Sequence, residues 1–197
     1  PGTFSFGADT CDSCANSSFT DMPGQSSCAQ VQPGYRTKTD GNGLRIDEEA
    51  CPLGTFSLGA DSCTACPAGE VSDTPASTAC KVCEPGTRTR VDQTACEICV
   101  AGKYSGLGSA NCSLCGAGEF TELTKQSACA NAQPGYQTNI TDDGLRIGEE
   151  ECTPGTFSLG ADNCTACPAG SVSPQGASAC TKAQPGFKTI KAADGTP

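Results

Sequence analysis

Large hydrophobic residues lie mostly singly along this chain, and they show no sustained three- to four-residue spacing of the kind that marks one face of a helix. The regular pattern that does occur is alternation. Tyr35, Thr37 and Thr39 alternate with basic residues, the turn-forming letters DGNG follow, and a second strand begins with LRI. Alternation on both sides of such a turn predicts a β-hairpin at about residues 29–50.

The same pattern returns 101 residues later and predicts a second hairpin at about residues 130–151. It begins a third time, as a truncated hairpin from residue 183 that includes Phe187. Overlaying the chain on itself at this shift also aligns six cysteines with six others. We therefore predict two large repeats, 1–101 and 102–197, each built from smaller one-loop units.

One phrase shows what a unit contains: CPLGTFSLGADSCTACPAG at 51–69 returns as CTPGTFSLGADNCTACPAG at 152–170, with 16 of 19 letters identical. A Pro-Gly pair, where a unit has one, sets a turn, because Pro fixes φ and Gly accepts a positive φ. The aromatic residue that follows is the one sizeable apolar group of a unit. These features predict small disulfide-rich repeats, arranged as an elongated rod of short β-hairpins and loops with essentially no helix.

Composition supports a cross-linked scaffold rather than one packed core. The 197 residues include 17 Cys, 24 Gly and 13 Pro, with no Trp. A chain so rich in cysteine and poor in large aliphatic residues is typical of disulfide-stabilised proteins from oxidising compartments. We therefore expect a secreted, extracellular or cell-surface location.

Cysteine spacing suggests which residues pair, if each small loop closes on its nearest neighbour. The predicted bridges are Cys14–Cys28, Cys51–Cys63, Cys66–Cys80, Cys83–Cys96, Cys99–Cys112, Cys115–Cys129, Cys152–Cys164 and Cys167–Cys180. Cys11 is left over. The repeat pattern predicts a partner for it just upstream of residue 1, in a longer repetitive protein, and a free reactive thiol is the alternative.

Four sequons predict N-linked glycans, at Asn16, Asn111, Asn139 and Asn163. Asn16 and Asn139 are the stronger candidates. The sequons of Asn111 and Asn163 each carry in their middle position a cysteine that we expect to be bridged.

Two sets of residues, the paired cysteines and the acidic runs, each suggest a metal site. The Cys-x-x-Cys pairs 80/83, 96/99 and 112/115 have a zinc-ribbon-like spacing, but the absence of His and the sequons favour loop-closing disulfides. The acidic runs 47–49 and 149–151 lie beside Gly- and Asp-rich turns, which suggests calcium. An EF-hand register centred on Gly43 places Lys38 at the first ligand position, so only a looser oxygen cage stays open. We predict no cofactor, with calcium as a minor alternative.

Net charge and missing motifs exclude several classes of protein. A net charge of −10 and a pI near 4.3 disfavour partners such as nucleic acid or acidic membranes. No apolar run approaches the roughly 20 residues of a membrane-spanning helix, so we expect no membrane insertion in this segment. The chain has no His, no nucleophile elbow and no phosphate-binding loop, so we predict that it is not an enzyme.

The phrases at 51–69 and 152–170 resemble the ephrin-receptor-like cysteine-rich repeat, a module similar in style to the units of TNF receptors. The resemblance covers nearly the whole chain outside the two hairpins. It implies large secreted or surface proteins, such as those of algae and protists, in which the module serves as spacer, ligand-binding rod or filament component. A Gln-Pro-Gly and the hairpin replace the next cysteine unit after residues 28, 129 and 180.

These features predict a structural subunit of a glycosylated extracellular filament or surface fibre, whose partners are other copies of itself. Hairpins at a fixed spacing offer strand edges that a neighbouring subunit can extend, and Tyr35, Tyr136 and Phe187 are the predicted assembly residues. The alternative is the ligand-binding or spacer stalk of a cell-surface receptor or adhesin. A stalk of that kind would carry a non-repeated aromatic or Arg patch, and the sequence shows none.

Overall fold

The computed structural model describes residues 1–7 and 9–188. Over this part of the chain the regular structure is entirely β, with no helix. The strands are short, and each belongs to a two-stranded sheet. Together with eight disulfides, this arrangement confirms the predicted fold class of small disulfide-rich β repeats.

The chain forms two compact units. One comprises Pro1–Cys83 and Thr89–Glu97, and the other comprises Glu84–Arg88 and the residues from Ile98 onward. The first ten strands lie in the first unit: β1 (Thr3–Phe4), β2 (Asp12–Ser13), β3 (Ser18–Phe19), β4 (Ala29–Gln30), β5 (Tyr35–Thr39), β6 (Arg45–Ala50), β7 (Thr55–Phe56), β8 (Thr64–Ala65), β9 (Glu70–Val71) and β10 (Lys81–Val82).

The remaining strands begin at the boundary between the units and continue through the second unit. They are β11 (Thr87–Thr89), β12 (Cys96–Ile98), β13 (Lys103–Tyr104), β14 (Ser113–Leu114), β15 (Glu119–Phe120), β16 (Ala130–Asn131), β17 (Tyr136–Ile140), β18 (Arg146–Glu151), β19 (Thr156–Phe157), β20 (Thr165–Ala166), β21 (Ser171–Val172) and β22 (Thr181–Lys182). Most of the third hairpin predicted from residue 183 lies outside the described residues.

A tight turn precedes many of the strands, as the Pro-Gly pairs predict. In the turn at Pro33-Gly34, the amide of Tyr35 donates to the carbonyl of Gln32 at 3.0 Å, and Gly34 has a φ of +89°. A Cβ at Gly34 would lie 2.1 Å from the backbone oxygen of Ala76. Glycine is therefore required both by the positive φ and by the close approach of the loop that Cys66 and Cys80 close.

Disulfides close each small loop over 12 to 14 residues. They join the same cysteines as the nearest-neighbour scheme. The Cys-x-x-Cys pairs named as zinc candidates are each divided between two successive loops, for example Cys83 with Cys96 and Cys99 with Cys112. Cys11 is exposed and free.

The interior of each unit consists largely of sulfur and hydroxyl groups. One cysteine of every bridge is buried, and the buried polar residues are all Ser or Thr. Buried hydroxyls bond to nearby carbonyls, as Ser105 does to Thr87 and Ser173 does to Thr156, both at 2.8 Å. No buried side-chain nitrogen or oxygen of the described residues lacks a partner. Cross-links and hydrogen bonds thus replace a large apolar core.

Two long hairpins differ from the short sheets around them. In the first hairpin (residues 35–50), β5 pairs with β6, Tyr35 lies opposite Ala50, and the register shifts between Lys38 and Thr39. The second hairpin (residues 136–151) pairs β17 with β18 in the equivalent register, with the shift at the equivalent position. The carboxylate of Asp40 accepts two backbone amides and so shapes the first turn, and Thr141 accepts one in the second turn.

Candidate assembly site on the two long hairpins

The first hairpin is fixed in place by a salt bridge at the start of β6. Arg45 donates through Nε to Oδ1 of Asp61 at 3.1 Å and through Nη2 to Oδ2 at 3.0 Å. Asp61 belongs to the disulfide loop that follows the hairpin. Two parallel charge-assisted hydrogen bonds fix the orientation of both side chains more strictly than one contact would.

The same pair also holds the loop that precedes the hairpin. Nη1 of Arg45 donates to the carbonyl of Cys14 at 3.1 Å, and the amide of Ser17 donates to Oδ1 of Asp61 at 2.8 Å. The hydroxyl of Thr37, on β5, donates to the same oxygen at 3.0 Å. One Arg–Asp pair therefore joins both strands of the hairpin to the loop on either side, and we call these five residues the first clamp.

These contacts keep the carboxylate ionised. The hydrogen bonds from Arg45 lower the pKa of Asp61 most, and the amide of Ser17 and the hydroxyl of Thr37 lower it further. The same pair raises the pKa of Arg45. A carboxylate that accepts four hydrogen bonds in this way acts as a structural anchor of the hairpin.

The second unit repeats the arrangement, and we call it the second clamp. Arg146 donates to Asp162 at 2.8 and 2.5 Å and to the carbonyl of Cys115 at 3.1 Å. Asp162 also accepts the amide of Gly118 at 2.9 Å and the hydroxyl of Thr138 at 2.7 Å. The Asp162 side chain is 18% exposed, against 34% for Asp61, and the Arg146 salt bridge again lowers the aspartate pKa.

The first clamp has one additional member. Nη2 of Arg45 donates to Oδ1 of Asn16 at 2.7 Å, and the equivalent of Asn16 in the second unit is Ala117. Asn16 is exposed. The contact uses the amide oxygen, and N-glycosylation modifies the amide nitrogen, so the clamp and a glycan can coexist at Asn16.

The other three sequon asparagines, Asn111, Asn139 and Asn163, are also exposed. Asn139 lies on β17 opposite Gly148, next to the register shift. Its equivalent in the first hairpin is Lys38, so the two hairpins carry different chemistry at this exposed position.

The three predicted assembly residues have different surroundings. Tyr35 and Tyr136 are half-buried on the hairpins, at equivalent positions. The hydroxyl of Tyr136 donates to Oε1 of Glu151 at 3.0 Å, which raises the pKa of Tyr136. Phe187 is 74% exposed and lies outside both long hairpins, near the end of the described residues.

The strand edges are less open than the sequence suggested. At the outer edge of β5, Arg36 forms a parallel bridge with Ala60. On β6, the carbonyl of Arg45 accepts the amide of Thr20 at 3.2 Å. The second hairpin has the equivalent contacts to Ala161 and Thr121. Flanking loops already take these backbone groups, so an added strand would have to pair elsewhere along the edge.

The acidic runs beside the turns are engaged by neighbouring side chains and amides. Glu48 accepts the amide of Gln32 at 2.8 Å, and Glu49 pairs with Arg36. In the second hairpin, Glu149 accepts two bonds from Gln133, and Glu150 accepts one from Gln137. Across the described chain, no group of three or more His, Cys, Asp or Glu side chains is arranged to hold a metal ion.

The clamps were not predicted from the sequence. A signal was nevertheless present, because Arg45 and Arg146 are the one basic residue that both hairpins share at equivalent positions. The aspartates of the repeated GAD phrase, Asp61 and Asp162, lie the same 16 residues further along.

No protein-family model matches this chain. Over 112 residues it is 33% identical to the mouse protein named sushi, von Willebrand factor type A, EGF and pentraxin domain-containing protein 1. The match covers 52% of the chain, and the chain spans about 3% of the length of that protein. With the eight disulfides, the match indicates cysteine-rich repeats of the extracellular type, and it does not identify them as ephrin-receptor-like.

None of the described residues belongs to a helix that could cross a membrane.

Proposed function

We propose that this protein is a structural subunit of a glycosylated extracellular filament or surface fibre, assembled from copies of itself. The observation that carries the proposal is the duplicated clamp. The same set of hydrogen bonds, 101 residues apart, fixes an exposed hairpin between two disulfide loops in each unit. A contact that recurs at a fixed spacing and does not close on itself builds a filament.

The rest of the molecule supports a scaffold role. The buried residues are mainly cysteines and small hydroxyl-bearing residues that hold loops in place, and each clamp carboxylate accepts several hydrogen bonds. A non-enzymatic role and an extracellular location are part of the proposal. The proposal also includes glycans at the exposed asparagines, because glycans would solubilise a protein of this kind.

Negative-stain electron microscopy of the natively purified protein, over a range of concentrations, tests the proposal. We expect regular fibres with an axial repeat. Replacing Tyr35 and Tyr136 by Ser should weaken assembly while all eight disulfides still form, as checked by non-reducing mass spectrometry. Tyr104→Ser is the matched control, because Tyr104 is half-buried like the others but lies on a short strand outside the hairpins.

Two results would count against parts of the proposal. Unchanged fibres in the Tyr35/Tyr136 variant would show that these tyrosines do not lie in the contact. Single particles that never associate at any concentration would overturn the filament role itself.

The partial similarity to the mouse protein favours a second candidate, a spacer or ligand-binding stalk of a larger surface protein. That protein is named for several kinds of domain, and the similar region is a small part of it. A stalk would stay monomeric under the same conditions and would bind a different protein.

A further inference from the structure

We propose that the two hairpins are unlike partners: the first hairpin of one copy docks on the second hairpin of another copy, and opposite charges select this pairing. The inference rests on the proposed filament function and names the contact through which copies join. It starts from a difference between two otherwise equivalent elements.

The first hairpin carries basic groups around a shallow concavity. Arg36, Lys38 and Arg45 line it, together with Thr37, Thr39, Glu49 and Asp61. Arg45 is committed to the clamp, and Arg36 pairs with Glu49 while both stay 40 to 45% exposed. Lys38 is exposed and forms no ion pair with any described residue. Two basic side chains are thus accessible to a partner on this hairpin.

The second hairpin lacks these charges. Its equivalents of Arg36 and Lys38 are Gln137 and Asn139. Residues 35–50 hold three basic and four acidic side chains, a formal net charge of −1, whereas residues 136–151 hold one basic and five acidic, a net charge of −4.

The difference comes from the two missing basic residues and one additional aspartate in the turn, and it leaves the three acidic side chains at the end of β18 without a basic neighbour on β17. Glu149, Glu150 and Glu151 are consecutive, and none of them forms an ion pair within the described part of the chain. Their hydrogen-bond partners are all neutral: Gln133, Gln137, Tyr136 and Gln175. Glu150 and Glu151 are exposed. The equivalents in the first hairpin include one glutamate paired to Arg36 and, at the last position, Ala50.

These charges favour one pairing over the others. Two second hairpins, each with a net charge of −4, repel each other, and in two first hairpins Glu49 of the acidic run 47–49 is already paired to Arg36. The accessible basic groups of the first hairpin find their complement in the three glutamates of the second. Each copy carries one hairpin of each kind, so a contact between unlike hairpins leaves a free site at either end, as a growing filament needs.

A charge-exchange experiment on the full chain tests the inference. One variant carries Arg36→Glu and Lys38→Glu, so both of its hairpins are strongly acidic. The other carries Glu150→Lys and Glu151→Lys, which raise the net charge of its second hairpin from −4 to 0 and place basic side chains on both hairpins. Each variant alone should require at least about a tenfold higher concentration to assemble than the wild type, as followed by light scattering at low salt. An equimolar mixture should assemble again, because unlike hairpins then meet between variants.

Two further samples control for folding and for charge in general. Arg36→Gln with Lys38→Asn introduces only residues that the second hairpin already accommodates, and it should also weaken assembly. Lys81→Glu with Asp73→Lys reverses exposed charges outside the hairpins and should leave assembly unchanged. Rising salt should weaken wild-type assembly, since exposed charges are screened within about 8 Å at 0.15 M.

The outcomes distinguish the proposed hairpin pairing from the proposed filament role. Wild-type fibres with charge variants that assemble equally well would overturn the hairpin pairing and leave the filament role standing. Variants that fail alone and are not rescued by mixing would overturn it as well. A wild-type chain that never associates would overturn both.

Discussion

The first and second hairpins share their inward contacts and differ in their outward ones. In both, a β-strand threonine and an arginine meet the same aspartate of the following loop. At the exposed positions, by contrast, Arg36 and Lys38 of the first hairpin become Gln137 and Asn139 of the second. The frame is thus specified by a few half-buried polar contacts, and the exposed surface can change around it.

The difference also shows where stability should lie. Contacts that both units build identically should cost the same when removed from either. Positions at which the units differ, such as Ser17 and its equivalent Gly118, should contribute unequally to the free energy of unfolding of the two units.

Removing one bridge beside each hairpin should have the largest effect. Cys51→Ser with Cys63→Ser, and Cys152→Ser with Cys164→Ser, each open a loop of the same sequence separation, 12 residues. We expect each pair to destabilise its own unit by about 3 kcal/mol, because the bridge restricts the unfolded chain. Denaturant unfolding with hydrogen exchange resolved by unit measures both.

Cys11→Ser is the control for this experiment, because Cys11 is exposed and unbridged among the described residues. This substitution should leave the unfolding midpoints of both units unchanged. A marked difference between the two bridge variants would show that the units are not energetically equivalent.

An intermediate effect is expected where the clamps differ in backbone chemistry. Ser17 has a φ of +61°, and its equivalent Gly118 has a φ of +72°. A Cβ at Gly118 would lie 2.3 Å from the backbone oxygen of Gly160. Gly118→Ser should therefore cost about 1–3 kcal/mol.

The reverse change, Ser17→Gly, keeps the amide that donates to Asp61 and removes an unfavourable side chain. It should be neutral or stabilising by less than about 1 kcal/mol. Thermal unfolding of both variants gives the comparison, and a stabilising Gly118→Ser would contradict it.

The smallest effect should come from the clamp carboxylates. Asp61→Asn should cost about 1 kcal/mol, since the pair is partly exposed, and Asp162→Asn should cost more because Asp162 is less exposed. Both aspartates have a lowered pKa in the folded protein. Their stabilisation is therefore complete above about pH 4 and is lost as pH falls towards the folded-state pKa.

Unfolding midpoints measured from neutral to strongly acidic pH test this sign. The unfolding midpoints of the two clamp Asn variants should fall less steeply with acid than that of the wild type. Asp142→Asn, on the exposed second turn, is the control, and its midpoint should follow the wild-type curve. If the midpoints of both clamp variants fall with acid as the wild-type midpoint does, other carboxylates are responsible for the loss of stability at low pH.

The sequence predicted the local features of this fold because they depend on local spacing. Loops of 12 to 14 residues between cysteines close on their neighbours, and alternation around a Gly-rich turn forms a hairpin. Neither needs knowledge of distant parts of the chain.

The clamps could not be predicted in the same way. Arg45 meets Asp61 and Cys14, residues 16 and 31 positions away, and only the three-dimensional path of the chain brings them together. The same holds for the strand edges, because the bridge from Arg36 to Ala60 depends on where the next loop folds back. A search for charged residues that recur with the repeat would have found the arginine and the aspartate, but not their contact.

The spacing of the bridges has a mechanical consequence. Between Cys14 and Cys180, tension applied to the chain ends passes through the disulfides and bypasses the residues inside each loop. Successive loops are separated by two residues, except across 28–51 and 129–152, where 22 residues lie between the cysteines. Only these two segments can lengthen appreciably, by unravelling to roughly 80 Å each at about 3.4 Å per residue. The hairpins are therefore the extensible links of the chain between Cys14 and Cys180, and the two clamps resist their extension.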